Sequence, residues 1–291
     1  MGKILITGDT GFVGGHLKAH LKDHEVYGFN IRNGQNILDY EQVRNALDII
    51  RPQQIFHLAA QAYVPESFAN PIRTFEINTI GSLNLLEAIR QLGIKTRLML
   101  AGTSEEYGGG DVTEESMLEP QSPYAISKMA MDYLGRLYAK SYGIPVVVTR
   151  AFNHAGPGRG EMYAESSFAK QIVEVEQGKR KFVEHGNLES VRNYTDVRDI
   201  VRAYGLVIDL PPGVYNICSE QNVTMQEIMD TLIKNAKKPI PTRASKALFR
   251  PSDFSFKKPN CSKFKRLTGW KPKISLDQTM KDLLEQWRES S

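Results

Sequence analysis

The opening segment Lys3-Ile-Leu-Ile-Thr-Gly8-Asp-Thr-Gly11-Phe12-Val13-Gly14 constrains the fold more than any other part of the chain. An apolar run ends in three glycines at three-residue spacing, and a helix-period segment follows. This is the pattern of a strand that turns tightly into a helix. Gly8 permits the turn, Gly11 lets backbone approach a pyrophosphate, and Gly14 lets the helix lie against the strand. The N-terminus of that helix offers unpaired N–H groups to an anion. The middle glycine is displaced from the G-x-G-x-x-G spacing, and for this motif alone a plain glycine-rich turn is the alternative.

The rest of the chain repeats the strand–helix theme. Short β-branched runs stand at Ile4–Thr7, Glu25–Tyr27, Gln54–Leu58, Arg97–Leu100, Pro145–Thr149 and Val214–Ile217. Helix-period segments fit between them, at about 11–22, 39–50, 71–91, 122–142 and 197–208. The alternation predicts an α/β fold, a Rossmann-type doubly wound parallel sheet covered on both faces. After Arg150 the texture changes. Residues 151–163 are rich in Gly, Pro, Asn and His and read as a long loop. Helices follow at 165–177, 224–235 and 275–288. The expected division is a dinucleotide-binding domain over 1–150 and 191–218, and a smaller C-terminal substrate lobe over 151–190 and 219–291.

Composition excludes several function classes. With 291 residues, 41% of them hydrophobic, the chain can bury a full core. A formal charge of +4 is too small to argue for nucleic acid, though it suits an anionic ligand. Cys218 and Cys261 have no paired spacing, so neither a disulfide framework nor a metal site is expected. No apolar run reaches membrane-spanning length, and the first strand begins at residue 3. The reading is a cytoplasmic protein without a leader.

Further candidates for the cofactor site follow from position. Leu58-Ala59-Ala60 ends an apolar strand in small residues, against which a ribose could lie. Asn78 sits inside a helical pattern, where the alternative is a helix-bending core polar group. Asn36 and Ile37 could flank an adenine ring or simply cover the sheet edge. The second strand should end in the residue that chooses between NAD and NADP. Here Phe29-Asn30-Ile31-Arg32-Asn33 carries no acid. Arg32 could meet a 2′-phosphate, which favours NADP(H) over NAD(H), or it could be a solvated loop charge.

Tyr124 and Lys128, four residues apart on a predicted helix, share one face. An ammonium beside a phenol favours the phenolate. The tyrosine could then give a proton to a ketone oxygen as hydride arrives, and Lys128 could also hold the nicotinamide ribose. A helical surface pair is the bland alternative. Thr103 and Ser104 follow a predicted strand and could bind the same oxygen, or merely cap a turn. Glu105 could remove a carbon-bound proton beside a sugar ring, hold a hydroxyl, or cap a turn.

These residues together resemble an extended short-chain dehydrogenase/reductase acting on nucleotide sugars. The resemblance covers nearly the whole chain. It rests on the opening glycines, His57-Leu-Ala-Ala-Gln61, Thr103-Ser-Glu-Glu-Tyr-Gly108, Ser122-Pro-Tyr124-Ala-Ile-Ser-Lys128, Arg150-Ala-Phe-Asn153-His-Ala-Gly-Pro157, Gly186-Asn-Leu-Glu-Ser-Val-Arg192 and Thr268-Gly-Trp270-x-Pro272. Within that superfamily the chain is most similar to GDP-4-keto-6-deoxy-D-mannose reductases, and next to GDP-mannose 4,6-dehydratases. The resemblance implies that Asn153 and Lys170 touch substrate and that Arg192 and Arg250 bind its diphosphate. It also implies a homodimer built on the helices at 71–91 and 122–142. His57 and His154 are read as structural imidazoles, and Trp270 as core.

The departures are specific. Dehydratases carry a long basic insertion after the second strand, and residues 28–38 lack it. Thr103, Glu105 and Arg159-Gly-Glu161 match the dehydratase pattern. Asn193 and Asn260 replace expected aspartates, which puts in doubt the setting of Arg192 and a link between the lobes. The leading expectation is reduction of the C4 ketone of a GDP-4-keto-6-deoxyhexose. A 4,6-dehydratase or epimerase is the enzymatic alternative, and a dinucleotide-binding sensor the non-enzymatic one.

Overall fold

The computed structural model describes residues 2–219, 221–249 and 257–290. The first half of the chain holds β1 (Lys3–Thr7), α1 (Phe12–His20), β2 (Glu25–Phe29), α2 (Tyr40–Ile50), β3 (Gln54–His57), α3 (Val64–Ala69), α4 (Pro71–Phe75), α5 (Gly81–Leu92), β4 (Arg97–Thr103), β5 (Gly110–Val112) and α6 (Pro123–Tyr142). The second half holds β6 (Val146–Ala151), β7 (Asn153–Ala155), α7 (Ala164–Glu176), β8 (Val183–His185), β9 (Val191–Asp196), α8 (Val197–Val207), β10 (Gly213–Ile217), β11 (Asn222–Thr224), α9 (Met225–Lys234), β12 (Thr242–Ala244), β13 (Lys257–Pro259), α10 (Ser262–Thr268) and α11 (Leu276–Glu289).

Six strands form one parallel sheet in the order β10-β6-β4-β3-β1-β2. The chain leaves β1 for β2 on one side and returns to β3 on the other. That reversal opens a crevice above the carboxyl ends of β1 and β3, where open α/β sheets take ligands. Both sheet faces are covered, because the inner strands β1, β3, β4 and β6 bury side chains on both sides. On one face Leu17 of α1 meets Ile200, Tyr204 and Val207 of α8. On the other, Leu47 of α2, Leu86 and Ile89 of α5, and Met131 of α6 close the layer. A third apolar cluster joins α7, α9 and α11 through Phe168, Ile172, Ile228, Met229 and Leu283.

The structure departs from the sequence reading in three places. The single helix expected over 71–91 is α4, one π-helical turn at Glu76–Ile80, and α5. The wide turn admits the buried amide of Asn78. The loop expected over 151–163 contains β7, which pairs with β9. Residues 191–196 do not enter the main sheet; as β9 they lie between β7 and β11, while β10 joins β6. Asp196 stands at this junction. It caps α8 by accepting from the Arg198 N–H at 2.8 Å and takes the Thr279 hydroxyl of α11 at 2.8 Å.

Candidate active site

The crevice is lined first by backbone. Gly8 has φ 75°, and a Cβ there would lie 2.9 Å from the Ala59 nitrogen. A Cβ on Gly14 would overlap the Gly8 carbonyl oxygen. Gly11 precedes the first residue of α1 and donates its N–H to the Gly8 carbonyl at 2.9 Å. Thr7 stitches β1 to the end of β3, taking the Leu58 N–H on its carbonyl at 3.1 Å and the Ala59 N–H on its hydroxyl at 3.2 Å. Ala59 and Ala60 are half-buried, with no side-chain bulk above the strand ends. This cradle fits a pyrophosphate, because only its glycines leave room for one.

Behind the cradle lies a chain of buried polar groups. His57 shares hydrogen bonds with Thr7 at 2.7 Å and Ser82 at 2.8 Å, and Ser82 donates to the Asn78 carbonyl. Burial, with the Lys128 charge adding to it, depresses the His57 pKa to about 3. The imidazole is therefore neutral and structural. Asn78 accepts from the Gln61 N–H at 2.8 Å and donates to the Gln61 carbonyl and the Ser127 hydroxyl. Both its N–H bonds are spent inside the protein. It fastens the loop after β3 to α6 between Tyr124 and Lys128.

At the end of β2, Asn30 is buried and caps a short 3-10 turn over Ile31–Asn33. Arg32 on that turn is exposed. A carboxylate does reach this point, from another element: Asp9 of the glycine turn is 4% exposed and accepts from the Asn30 amide at 2.6 Å. Its side chain occupies the space a Cβ on Gly28 would need, and Lys18 stands 3.3 Å away. The sequence reading, which looked for an acid only along β2, missed it. Asn36 caps the Leu38 N–H at 3.1 Å, and Ile37 is buried against Gly81.

Tyr124 lies on the first turn of α6, whose N-terminus is set by Ser122 as cap and Pro123 behind it. The phenol faces the Thr103 side chain at the end of β4. Burial raises the Tyr124 pKa well above its ordinary value, the Thr103 hydroxyl opposes this, and Tyr163, Glu105 and Glu106 add to the rise. The expected acidification of Tyr124 by Lys128 is not what the structure shows. Lys128, 3% exposed, donates instead to the Ala101 carbonyl at 2.9 Å, and burial lowers its pKa to about 8 against the pull of Glu106. A residue spacing reports that two groups share a face; it does not report how much water they lose.

Thr103 and Ser104 are buried at the turn that follows β4. The two glutamates after them differ completely. Glu106 is fully buried, accepts from the Thr103 N–H at 2.9 Å, and lies 3.3 Å from Arg150. Burial and the neighbouring Asp132 raise its pKa. Arg150 completes this core by binding Asp132 at 2.7 Å and the Tyr107 hydroxyl at 2.9 Å. Glu105 is 40% exposed and pairs at 3.4 Å with Lys257 of β13.

An aromatic wall beside the glycine turn went unread in the sequence. Phe12, the first residue of α1, stacks on His154 with centroids 6.1 Å apart, and Arg159 lies over Phe12 at 5.0 Å. Arg159 also covers the Tyr163 ring at 3.4 Å, and Tyr163 meets Tyr63 edge-on at 5.8 Å. Val13 packs on the α1–α8 core. His16 shares a 2.7 Å hydrogen bond with the Pro157 carbonyl, so the loop after β7 is seated directly on α1. The only sequence cue was that loop's Gly- and Pro-rich composition.

The expected substrate residues are spread more widely. Asn153 is half-buried on β7. Lys170 pairs with Glu161 and Glu174. Arg192 lies on β9 opposite Val223 and donates to the Val191 carbonyl. The Asn193 side chain is hydrogen-bonded to Ser219, Gln221 and Asn222, anchoring that strand pair. Asn260 ties its segment to β5 and β10 through its backbone, donating to the Val112 carbonyl at 2.9 Å and accepting from the Asn216 amide at 3.0 Å. Arg250 lies outside the described residues. Among the described residues no helix is long and apolar enough to cross a membrane.

Residues 29–283 match the family model of GDP-mannose 4,6 dehydratase. The chain belongs to this family. It is 30% identical to GDP-6-deoxy-D-mannose reductase of Pseudomonas aeruginosa, over 98% of this chain and 97% of that one. It is 29% identical to GDP-mannose 4,6 dehydratase 1 of Arabidopsis thaliana, over 97% and 88%. The structure of RMD from Pseudomonas aeruginosa complexed with NADPH superposes with a TM-score of 0.92 at 30% identity, covering 100% of both chains. UDP-glucose 4-epimerase of Thermus thermophilus in complex with NAD gives 0.85 at 28% identity, over 99% and 100%. The Rossmann-type fold, the short-chain dehydrogenase/reductase relationship and a nicotinamide dinucleotide cofactor follow; these relatives bind both NADPH and NAD.

Proposed function

We propose that the protein reduces the C4 ketone of a GDP-4-keto-6-deoxyhexose to a GDP-6-deoxyhexose of the GDP-D-rhamnose type. One observation carries the reading: a buried phenol, Tyr124, faces Thr103 and has the buried Lys128 one turn behind it on α6. The dinucleotide, when bound, supplies hydride. Tyr124 gives its proton to the C4 oxygen, and Thr103 with Ser104 holds that oxygen. Lys128, whose pKa lies near 8, holds the nicotinamide ribose and returns a proton to the phenol. Asn153 and Lys170 contact the sugar nucleotide, and Arg192 and Arg250 its diphosphate. NADP(H) is the proposed cofactor, with exposed Arg32 meeting the 2′-phosphate.

The test is purified protein given NADPH and GDP-4-keto-6-deoxymannose. One NADPH consumed per sugar reduced supports the reading; an untouched cofactor refutes it. A 4,6-dehydratase is the second reading, favoured by Glu105 lying near enough to Tyr124 to raise its pKa. It requires conversion of GDP-mannose without net reductant, and Glu105→Gln abolishing that conversion.

We also propose a homodimer. Phe68, Ile72, Ile80, Ile126, Tyr133 and Leu137 are exposed apolar side chains on α3, α4, the π turn and α6, which pack side by side. Such a patch fits a second copy of the same helices. Light scattering should report a dimer, and Leu137→Glu should shift it to monomer.

A further inference from the structure

A ketone at C4 makes the neighbouring C5–H acidic, and a carboxylate beside the ring can remove that proton. A reductase that keeps Glu105 next to Tyr124 therefore carries a latent hazard. C5–H would break, its proton would pass to Glu105, and the electron pair would form a C4=C5 enolate held at O4 by Tyr124 and Thr103. Return of a proton from either face would then scramble C5. No electrons leave the sugar in this exchange, so no oxidant is required.

The structure places a cation against that carboxylate. Lys257 of β13 lies 3.4 Å from Glu105, and its side chain is only 12% exposed. β13 is held in place by pairing with β5, Lys257 opposite Gly110, and by the Asn222 amide on the Lys257 carbonyl at 3.3 Å. The ammonium is thus delivered by β13 to the turn after β4. A proton taken up by Glu105 would break the ion pair and leave a nearly buried ammonium without that counter-charge, which is unfavourable. The ion pair also fixes Glu105, whose own N–H is held by the Thr103 hydroxyl at 3.2 Å.

We propose that Lys257 is a positioning residue that withholds Glu105 from C5, so that reduction proceeds without enolisation or epimerisation of the keto sugar. This rests on the reductase reading of the site.

The test uses the full-length protein with the oxidised dinucleotide bound, so that no reduction follows. It is incubated in deuterium oxide with GDP-4-keto-6-deoxymannose, and loss of the C5 proton signal is followed by NMR. Wild type should exchange no faster than buffer. Lys257→Met, and Lys257→Gln in parallel, should exchange faster by about 10²-fold or more, the scale of a released general base. Lys257→Arg should restore the wild-type rate, and Glu105→Gln added to Lys257→Met should abolish the gain. A merely structural lysine would lose activity on replacement but would not create exchange. The proposal is overturned if both neutral variants exchange at the wild-type rate, or if wild type already exchanges as fast as they do. Failure of the reductase reading shows separately, as NADPH left unconsumed by wild type with the same sugar.

Discussion

Around Gly8 the site is made largely of main chain: the Leu58 and Ala59 N–H groups reach Thr7, and the Gly11 N–H at the start of α1 reaches the Gly8 carbonyl. Around Arg192 and Lys170 it is made of long charged side chains on separate elements, already engaged with Val191, Glu161 and Glu174. The first construction suits a ligand of constant shape, because a backbone cradle cannot be retuned without moving the fold. The second suits a ligand that varies, because ion pairs can be exchanged singly. Tyr124 and Thr103 sit between them and belong to neither. Their geometry is fixed from below by the buried set of Glu106, Asp132 and Arg150.

That contrast can be broken from several directions. The largest effect should come from the centre. Tyr124→Phe removes the proton donor but little packing, so kcat should fall by roughly 10²–10⁴-fold while the melting temperature stays near wild type. A variant that keeps most of its kcat would remove Tyr124 from the chemistry. Next comes the cradle. Gly14→Ala drives a methyl into the Gly8 carbonyl and should cost about 1–3 kcal/mol of stability, read by denaturant titration, together with weaker dinucleotide binding. Unchanged values would mean that the turn is soft.

The buried histidine gives a pH test of the layer beneath the cradle. His57 is depressed from 6.5 to about 3, so between those values the unfolded chain holds a proton that the folded one refuses. Stability should therefore fall as pH drops through that window, by up to about 1.4 kcal/mol per pH unit from this group. His57→Gln should be less stable at neutral pH and show a shallower decline on acidification. The smallest effect concerns the rim. Arg32→Ala should reduce the preference for NADPH over NADH by about tenfold in kcat/KM, with little change in stability. An unchanged ratio would make Arg32 a solvated charge and would turn attention to Asp9 beneath it.

Much of this layout could be read from the residues alone. Six strands and the long helices announced themselves because each must bury apolar side chains at its own period, and Gly8, Gly11 and Gly14 showed where the first crossover turns. Tyr124 and Lys128 were legible as a four-residue spacing. The sense of the Tyr124 pKa was not, because burial depends on what the rest of the chain brings over α6. The π turn at Glu76–Ile80 was missed because its cause, the Asn78 amide, lies in Gln61 and Ser127. Strands of three residues, such as β5, β7 and β13, carry no period and exist only through their partners. For the same reason Arg159 over Tyr163, Asp9 against Asn30, and Lys257 against Glu105 left no mark in local spacing.

The fate of the hydride tests the central claim most directly. With NADPH deuterated at the transferable position and GDP-4-keto-6-deoxymannose as substrate, the account predicts deuterium bonded to C4 of the product hexose, in one-to-one yield with oxidised cofactor. A product without deuterium at C4, or GDP-mannose converted with its own C4 hydrogen moved to C6 and no cofactor consumed, would contradict it.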